Sequence, residues 1–259
     1  MKVVILCGGK GTRLRERTEA IPKVLVEVGG RPILWHIMKM YSAFGFNDFI
    51  LCLGHLGGRV KEYFVEDSGW KRADCRLQLG LPEGPKLTQI DTQAPWNIVF
   101  ADTGQETNTG GRVKKIQKYL QDEEFMVTYG DGLSDLNLTR LAEFHRDHKK
   151  IATVTAVNPS SSYGIMKIGK EGLVSEFQEK PRLGAWINGG FFVFRPAVFD
   201  YLEEGSVLER DPLERLAREG QLCAYRHEGF WACMDTYKDN LELTHLWETG
   251  VARWRVWGK

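Results

Sequence analysis

The sequence predicts an α/β fold organised around a mixed central sheet. The chain opens with a continuously apolar run over residues 3–7, which is typical of a parallel strand buried on both faces. Segments with strand and helix patterns then alternate, and two later segments, 164–168 and 174–179, have the pattern of an antiparallel pair. With 259 residues and 42% apolar content, the chain is large enough to bury one core. We therefore predict a single α/β domain with a helical, loop-rich C-terminal part.

The elements follow from local patterns. Apolar residues recur at helical spacing from 32 to 44 until Gly45 breaks the pattern, and the apolar run 49–53 then predicts a strand. Proline, glycine and serine interrupt residues 66–96, which predicts irregular hairpin and loop structure. The other predicted elements are helices at 60–65, 110–121, 138–150, 211–219 and 236–247, and strands at 125–128, 151–157 and 189–194.

Composition excludes several classes of partner. Thirty-five basic and 34 acidic residues leave a formal charge of +1, so no overall charge favours nucleic acid or an anionic membrane. The five cysteines include no C-x-x-C pair, which predicts buried thiols in a reducing compartment. No apolar stretch approaches the roughly 18 residues of a membrane span. We expect an unprocessed, cytoplasmic protein.

A glycine-rich turn follows the first strand and reads Gly8-Gly9-Lys10-Gly11-Thr12-Arg13. Glycines let backbone N–H groups converge on phosphate oxygens. The dinucleotide fingerprint would need glycine at Leu14, and the phosphate-binding loop of many nucleotide hydrolases would need a lysine after Gly11, so the turn is neither. A simple tight turn is the alternative interpretation.

Two cations accompany this turn. Arg13 can make planar, bidentate contacts to phosphate, and Lys23 offers a compact charge on a segment stiffened by Pro22. Together they are candidates for holding a triphosphate. Without the glycine turn they would be read as two solvated surface cations.

Two aspartates are candidate magnesium ligands. Asp131 lies just past the strand predicted at 125–128, where open α/β sheets bind ligands. Asp235 lies in an otherwise apolar and aromatic stretch. Magnesium is usually held by one or two carboxylates together with phosphates and water. The alternatives are a Gly-Asp-Gly turn for Asp131 and a helix N-cap for Asp235.

Four further residues are candidates for binding a phosphorylated acceptor. Lys180 could meet its phosphate, and Glu179 and Asn188 could bind sugar hydroxyls, while Gly189 would permit close backbone approach. The pair His145-x-x-His148 has metal-ligand spacing but no third ligand, so we predict a solvated helix face there. The tryptophans near the C-terminus indicate packing or a subunit contact.

The order of these motifs resembles that of the sugar-phosphate nucleotidyltransferases, most closely the glucose-1-phosphate cytidylyltransferases. The similarity extends over nearly the whole chain. Residues 4–14 match the opening of the superfamily, and the cytidylyl branch is resembled at residues 32–38, 109–112, 128–132, 230–231 and 234–236.

The resemblance implies a Rossmann-like nucleotidyltransferase fold with a mixed sheet, a small β-rich sugar-binding part and a helical tail. The nucleotide-binding part would span about 1–135, and the acceptor-binding and C-terminal part about 136–259. It implies CTP, a sugar 1-phosphate, Mg²⁺, nucleotide-sugar biosynthesis and a homo-oligomer.

The same resemblance assigns the site. The catalytic residues would be Arg13, Lys23, Asp131 and Lys180. The nucleotide would contact Leu6, Gly8, Gly9, Lys10, Gly11, Thr12, Arg13, Lys23, Thr107, Arg112 and Gly130. The acceptor would contact Glu179, Lys180, Asn188 and Gly189, and the metal Asp131 and Asp235.

The chain departs from the family pattern at residues 22–25, at 160–166 and over 66–94. These departures leave open UTP or dTTP as the donor and another phosphorylated molecule as the acceptor. A nucleotide-binding regulator without catalysis is the alternative from another class. It would have no need of both metal carboxylates.

Overall fold

The computed structural model describes residues 1–9, 14, 20–67, 75–78, 86–89, 96–120, 123–161, 163–182 and 184–258. Its helices are α1 (Ile33–Ser42), α2 (Gly57–Asp67), α3 (Thr109–Lys115), α4 (Leu138–His148), α5 (Asp211–Arg218) and α6 (Tyr237–Glu248). Short 3-10 turns occupy Lys23–Leu25, Gln117–Tyr119, Lys170–Gly172 and Pro196–Tyr201.

The strands of the first half are β1 (Lys2–Leu6), β2 (Glu27–Val28), β3 (Arg31–Pro32), β4 (Asp48–Leu53), β5 (Cys75–Gln78), β6 (Lys86–Gln89) and β7 (Asn97–Asp102). Those of the second half are β8 (Phe125–Tyr129), β9 (Gly132–Ser134), β10 (Ala152–Val157), β11 (Ile165–Ile168), β12 (Val174–Gln178), β13 (Ile187–Asn188), β14 (Phe192–Phe194), β15 (Leu222–His227) and β16 (Trp231–Cys233). Strands and helices alternate as the sequence predicts.

Strand β1 lies at the centre of the main sheet. It runs parallel to β4 on one side and to β8 on the other, and β4 pairs in parallel with β7. Val3 and Ile5 belong to one buried cluster, whereas Val4 and Leu6 belong to the cluster on the opposite face. The continuously apolar run therefore identifies a strand buried on both faces, and this prediction is confirmed.

The other half of the sheet is mixed. Strand β14 pairs antiparallel with both β8 and β10, and β15 pairs in parallel with β10. Only the last three residues of the strand predicted at 189–194 form a strand, β14, because Gly190 and Phe191 adopt positive φ angles of 76° and 46° just before it. The α/β class and the mixed sheet are both confirmed.

Several strands have no counterpart in the sequence predictions: β7 and β15, and the short strands β2, β3, β9, β13 and β16. The first two lie at the edges of the main sheet, where β15 alternates between half-buried and exposed residues. The predicted antiparallel pair is present as the hairpin β11–β12. Strands β5 and β6 form a hairpin within the stretch predicted to be irregular.

The interpretation of the histidine pair as a solvated helix face is wrong. His145 is fully buried, and its Nδ1 lies 2.8 Å from Thr153 Oγ1 on β10. His148 reaches the same hydroxyl at 2.7 Å. The pair joins α4 to the sheet, which a spacing argument alone does not distinguish from exposure.

The C-terminal tryptophans pack around a buried histidine. The rings of Trp247, Trp254 and Trp257 all contact the ring of His36 on α1. Trp254 Nε1 donates to His36 Nδ1 at 3.3 Å, so His36 Nε2–H donates to the Val28 carbonyl at 2.9 Å. The last described turn of the chain therefore packs on α1.

In the part of the chain that the structure describes, no helix has the length and apolarity needed to cross a bilayer.

This histidine predicts a pH-dependent stability. Burial lowers the pKa of His36 from 6.5 to about 4, so the folded state holds it neutral. Keeping His36 neutral contributes fully to the free energy of unfolding when the pH is above the pKa of the unfolded state. About 3 kcal/mol of that free energy is lost as pH falls from 6.5 towards 4. Urea unfolding across this range should show a shallower pH dependence for His36→Gln than for the unmodified chain. Equal slopes would contradict the assignment.

Candidate active site

The carboxyl ends of the parallel strands form a pocket. Its volume is about 350 Å³, and its walls come from the segments that follow β1, β7 and β8. This edge is where open α/β sheets bind ligands, since helix N-termini and loop amides meet there. Predicted site residues among its lining are Leu6, Gly8, Gly9, Lys23, Thr107, Arg112, Gly130 and Asp131. The predicted Lys10, Gly11, Thr12 and Arg13 lie outside the described residues.

Lys23 joins the two predicted metal carboxylates. Its Nζ lies 2.5 Å from Asp131 Oδ2 and 2.9 Å from Asp235 Oδ1. Burial alone would lower the pKa of the ammonium, but the charges and hydrogen bonds of the two aspartates outweigh it and raise the pKa. The lysine is therefore held charged between its partners.

Three chain segments produce this convergence. Pro22, in an extended conformation, precedes the 3-10 turn that carries Lys23. Asp131 lies in the tight turn between β8 and β9, and Asp235 lies between β16 and α6. Because β16 pairs with β9, the two carboxylates approach across that small sheet.

Asp235 does not cap helix α6. Thr236 is the N-cap residue, and it forms a capping box with Asp239, whose carboxylate accepts from the Asp235 and Thr236 amides. The alternative of an Asp235 N-cap is thus wrong. Its carboxylate meets Lys23 instead of the helix.

Asp131, Cys233 and Asp235 form a group able to hold a cation. One ligand atom from each lies within 4.8 Å of the others. Burial, and then the charge of Asp131, raise the pKa of the Cys233 thiol, so its sulfur stays protonated at neutral pH. The two carboxylates, rather than the thiol, are therefore the candidate ligands for a cation in this group.

Arg112 supports the pocket from within. Its guanidinium is buried and donates to the carbonyls of Gly8, Leu53, Gly104 and Gln105 and to the Thr103 hydroxyl. These acceptors belong to the loops after β1, β4 and β7. A Cβ added at Gly8 would lie 2.0 Å from the guanidinium carbon, so glycine is required there. Arg112 thus fixes the loops, and its contact with nucleotide stays a prediction.

Gly130 is required by close packing beside Lys23. A Cβ there would meet Val24 Cγ1 at 2.4 Å and the Leu6 carbonyl oxygen at 2.9 Å. The side chain of Thr107 is oriented by the backbone four residues earlier, since its hydroxyl donates to the Thr103 carbonyl at 2.6 Å. The glycine lets the turn bearing Asp131 approach β1 directly.

The predicted acceptor residues divide into two groups. Asn188 Nδ2 donates to the Tyr129 hydroxyl at 3.3 Å, and the Gly189 carbonyl accepts from Trp231 Nε1 at 2.8 Å, so both contact neighbours of the pocket. Glu179 and Lys180 have exposed side chains just after β12, and Lys180 has a φ of 47°. None of the four is among the described residues that line the pocket.

Sequence reasoning assigned no role to several lining residues: Cys7, Val24, Gln105, Glu106, Asn108, Thr109 and Tyr129. Two of them carried a usable signal. Thr109 opens the Thr-Gly-Gly-Arg motif, and Tyr129 precedes Gly130-Asp131. Cys7 and Val24 adjoin predicted site residues, and Gln105, Glu106 and Asn108 lie in the loop between β7 and α3, which has no recognisable pattern.

A sequence model of the nucleotidyl transferase family matches residues 2–243. The chain belongs to this family. It is 46% identical over 99% of its length to the full length of the "Probable glucose-1-phosphate cytidylyltransferase" of Bacillus subtilis. It is 45% identical, with coverage of 99% and 100%, to the glucose-1-phosphate cytidylyltransferase of Salmonella typhimurium. The motifs therefore led to the correct family.

Solved structures support the fold. The crystal structure of HddC from Yersinia pseudotuberculosis superposes with a TM-score of 0.69, covering 95% of this chain and 99% of that one. The sequence identity is 22%, so the likeness concerns the fold alone. The Rossmann-like nucleotidyltransferase architecture expected from the motifs is confirmed.

The support given by Arg112 predicts a stability loss on its removal. Arg112→Met would remove the side-chain donor of the buried Gly8 carbonyl and the donors of the part-buried Gly104 and Gln105 carbonyls, at a cost of about 3 kcal/mol. Urea unfolding should detect this loss, and Lys118→Met, at an exposed position, serves as the matched control. If Arg112→Met lowers the free energy of unfolding by less than about 0.5 kcal/mol, the range of ordinary surface substitutions, Arg112 does not stabilise the loops around the pocket.

Proposed function

We propose that this nucleotidyltransferase transfers CMP from CTP to glucose 1-phosphate, forming CDP-glucose and releasing pyrophosphate. The observation that carries the proposal is the Lys23–Asp131–Asp235 group at the wall of the pocket. Full-length identity of 45% to the Salmonella cytidylyltransferase supports this donor and acceptor.

The acidic group fits Mg²⁺. Magnesium prefers oxygen ligands and is commonly held by one or two carboxylates plus substrate phosphates, which is the donor set of Asp131 and Asp235. When bound, the ion would supply positive charge to the triphosphate oxygens. Two carboxylates and one ammonium leave the group with net negative charge, so it favours a cation over further anions.

The residues of the chain supply position and charge. The second pKa of a phosphate monoester lies near 6, so the attacking oxygen of the acceptor is already ionised at neutral pH and needs no general base. Lys23 and Arg13 would stabilise charge on the reacting phosphates, with Lys180 holding the acceptor in line. Gly8, Gly9, Thr107 and Gly130 would contact the nucleotide, with the acceptor bound by Glu179, Asn188 and Gly189.

We also infer that the chain forms a homo-oligomer. The hairpin β11–β12 and the short segment before it expose large apolar side chains: Tyr163, Ile165, Met166, Ile168, Leu173, Val174 and Phe177. A concentration of exposed large apolar side chains commonly marks a protein contact. A second copy of the chain would cover these side chains. Within each copy, the nucleotide-binding and acceptor-binding parts would belong to one domain.

A substrate matrix tests the function directly. Four nucleoside triphosphates are combined with a panel of phosphorylated acceptors in the presence of Mg²⁺, and pyrophosphate release is measured. We expect CTP with glucose 1-phosphate to give the highest kcat/KM, and chelation of the metal to abolish release. Faster release with UTP, dTTP or another acceptor would redefine the substrates. Ligand binding without release in any combination would indicate a regulator.

Loss of either charged partner should impair turnover. Lys23→Ala and Asp131→Ala are each expected to lower kcat by a factor on the order of a hundred, the scale of removing one transition-state stabiliser. Lys61→Ala, at an exposed position on α2, is the control. Circular dichroism would establish that the variants fold. Near-normal turnover by a folded variant would refute the roles assigned here.

A further inference from the structure

We propose that Glu209 is a positioning residue that links the nucleotide side of the pocket to the acceptor side through Tyr129. The inference rests on the proposed function and deepens it, because it explains how binding at one substrate site is coupled to the other. Glu209 precedes α5 and is half-buried behind two residues that line the pocket, Thr109 and Tyr129.

The Glu209 carboxylate accepts one hydroxyl on each oxygen. Tyr129 Oη donates to Glu209 Oε1 at 2.5 Å, and Thr109 Oγ1 donates to Oε2 at 2.7 Å. A carboxylate can accept at both oxygens, whereas the amide of a glutamine offers only one acceptor. Both hydroxyl donors therefore need the two acceptor oxygens of a carboxylate at this position.

The chain of bonds continues to the acceptor side. With its hydrogen directed at Glu209, the Tyr129 hydroxyl oxygen accepts from Asn188 Nδ2 at 3.3 Å. Asn188 Oδ1 in turn accepts from the Gly190 amide at 2.9 Å, which fixes the orientation of the side-chain amide.

The segment that carries Glu209 also makes hydrogen bonds to the nucleotide side of the pocket. The Leu208 amide donates to Thr109 Oγ1 at 2.9 Å, and the Gly111 amide donates to the Ser206 carbonyl at 3.0 Å. A Cβ at Gly111 would lie 2.0 Å from the Glu204 carbonyl oxygen. The segment carrying Glu209 thus packs directly on the start of α3, next to the loop that lines the pocket.

A double-mutant cycle tests the link. Glu209→Gln, Tyr129→Phe and the double variant are compared by KM for each substrate and by kcat, using the triphosphate and acceptor that the unmodified protein turns over fastest. Each single variant should raise the acceptor KM about tenfold, the scale of one hydrogen bond to a charged group. The acceptor KM of the double variant should be no higher than that of the more impaired single variant, because either change already breaks the link.

The nucleotide side has its own variant. Thr109→Val removes the hydroxyl but keeps the shape, and should raise the KM for the triphosphate while leaving the acceptor KM within about twofold. Glu214→Gln, at an exposed position on α5, is the matched control and should leave every constant unchanged. If Glu209→Gln fails to fold, Glu209→Asp, which keeps the charge but shortens the side chain, replaces it in the cycle with Tyr129→Phe.

The outcomes separate two failures. Multiplicative effects in the cycle, or a fall in kcat with both KM values unchanged, would overturn the positioning role while leaving the proposed function intact. An unmodified protein that releases no pyrophosphate with any substrate pair would overturn the proposed function, and this inference with it. Non-additive effects on the acceptor KM would support the link.

Discussion

The pocket depends on one ionic contact, the ammonium of Lys23 between the carboxylates of Asp131 and Asp235. Two carboxylates brought together in a half-buried site repel each other, and the lysine compensates part of that repulsion. The three residues come from separate segments, so the contact forms only when β8, the β9–β16 pair and the turn after Pro22 are all in place. The site is therefore a product of the whole fold.

A second buried cation holds the rim of the same pocket. Arg112 donates to carbonyl groups at the carboxyl end of β4 and in the segments after β1 and β7. Burial lowers the pKa of the guanidinium, yet the nearby negative groups oppose this effect and arginine stays charged. The two cations thus differ in their partners: Lys23 contacts carboxylates at the wall of the pocket, whereas Arg112 fixes the backbone that would surround a ligand.

The sequence was informative where chemistry is local. The apolar run at residues 3–7 predicts a buried strand, which is present as β1. The apolar residues before Tyr-Gly-Asp-Gly predict a second buried strand followed by a carboxylate, and they form β8. It was uninformative where a role depends on distant partners. Glu209 lies 80 residues from Tyr129 and 100 from Thr109, and its neighbours form no motif. The burial of His145 against Thr153 and the half-exposed strand β15 are likewise set by tertiary packing, which local spacing does not reveal.

The position of Lys23 has a consequence for the order of events in the site. The same ammonium that balances Asp131 and Asp235 is expected to contact phosphate, and it cannot satisfy all of these partners with equal strength. A divalent cation at the carboxylates would replace the positive charge that Lys23 supplies there, leaving the lysine able to turn towards an anion. Binding of the cation and availability of Lys23 are therefore linked by charge balance, because an uncompensated carboxylate pair in this half-buried site would be costly.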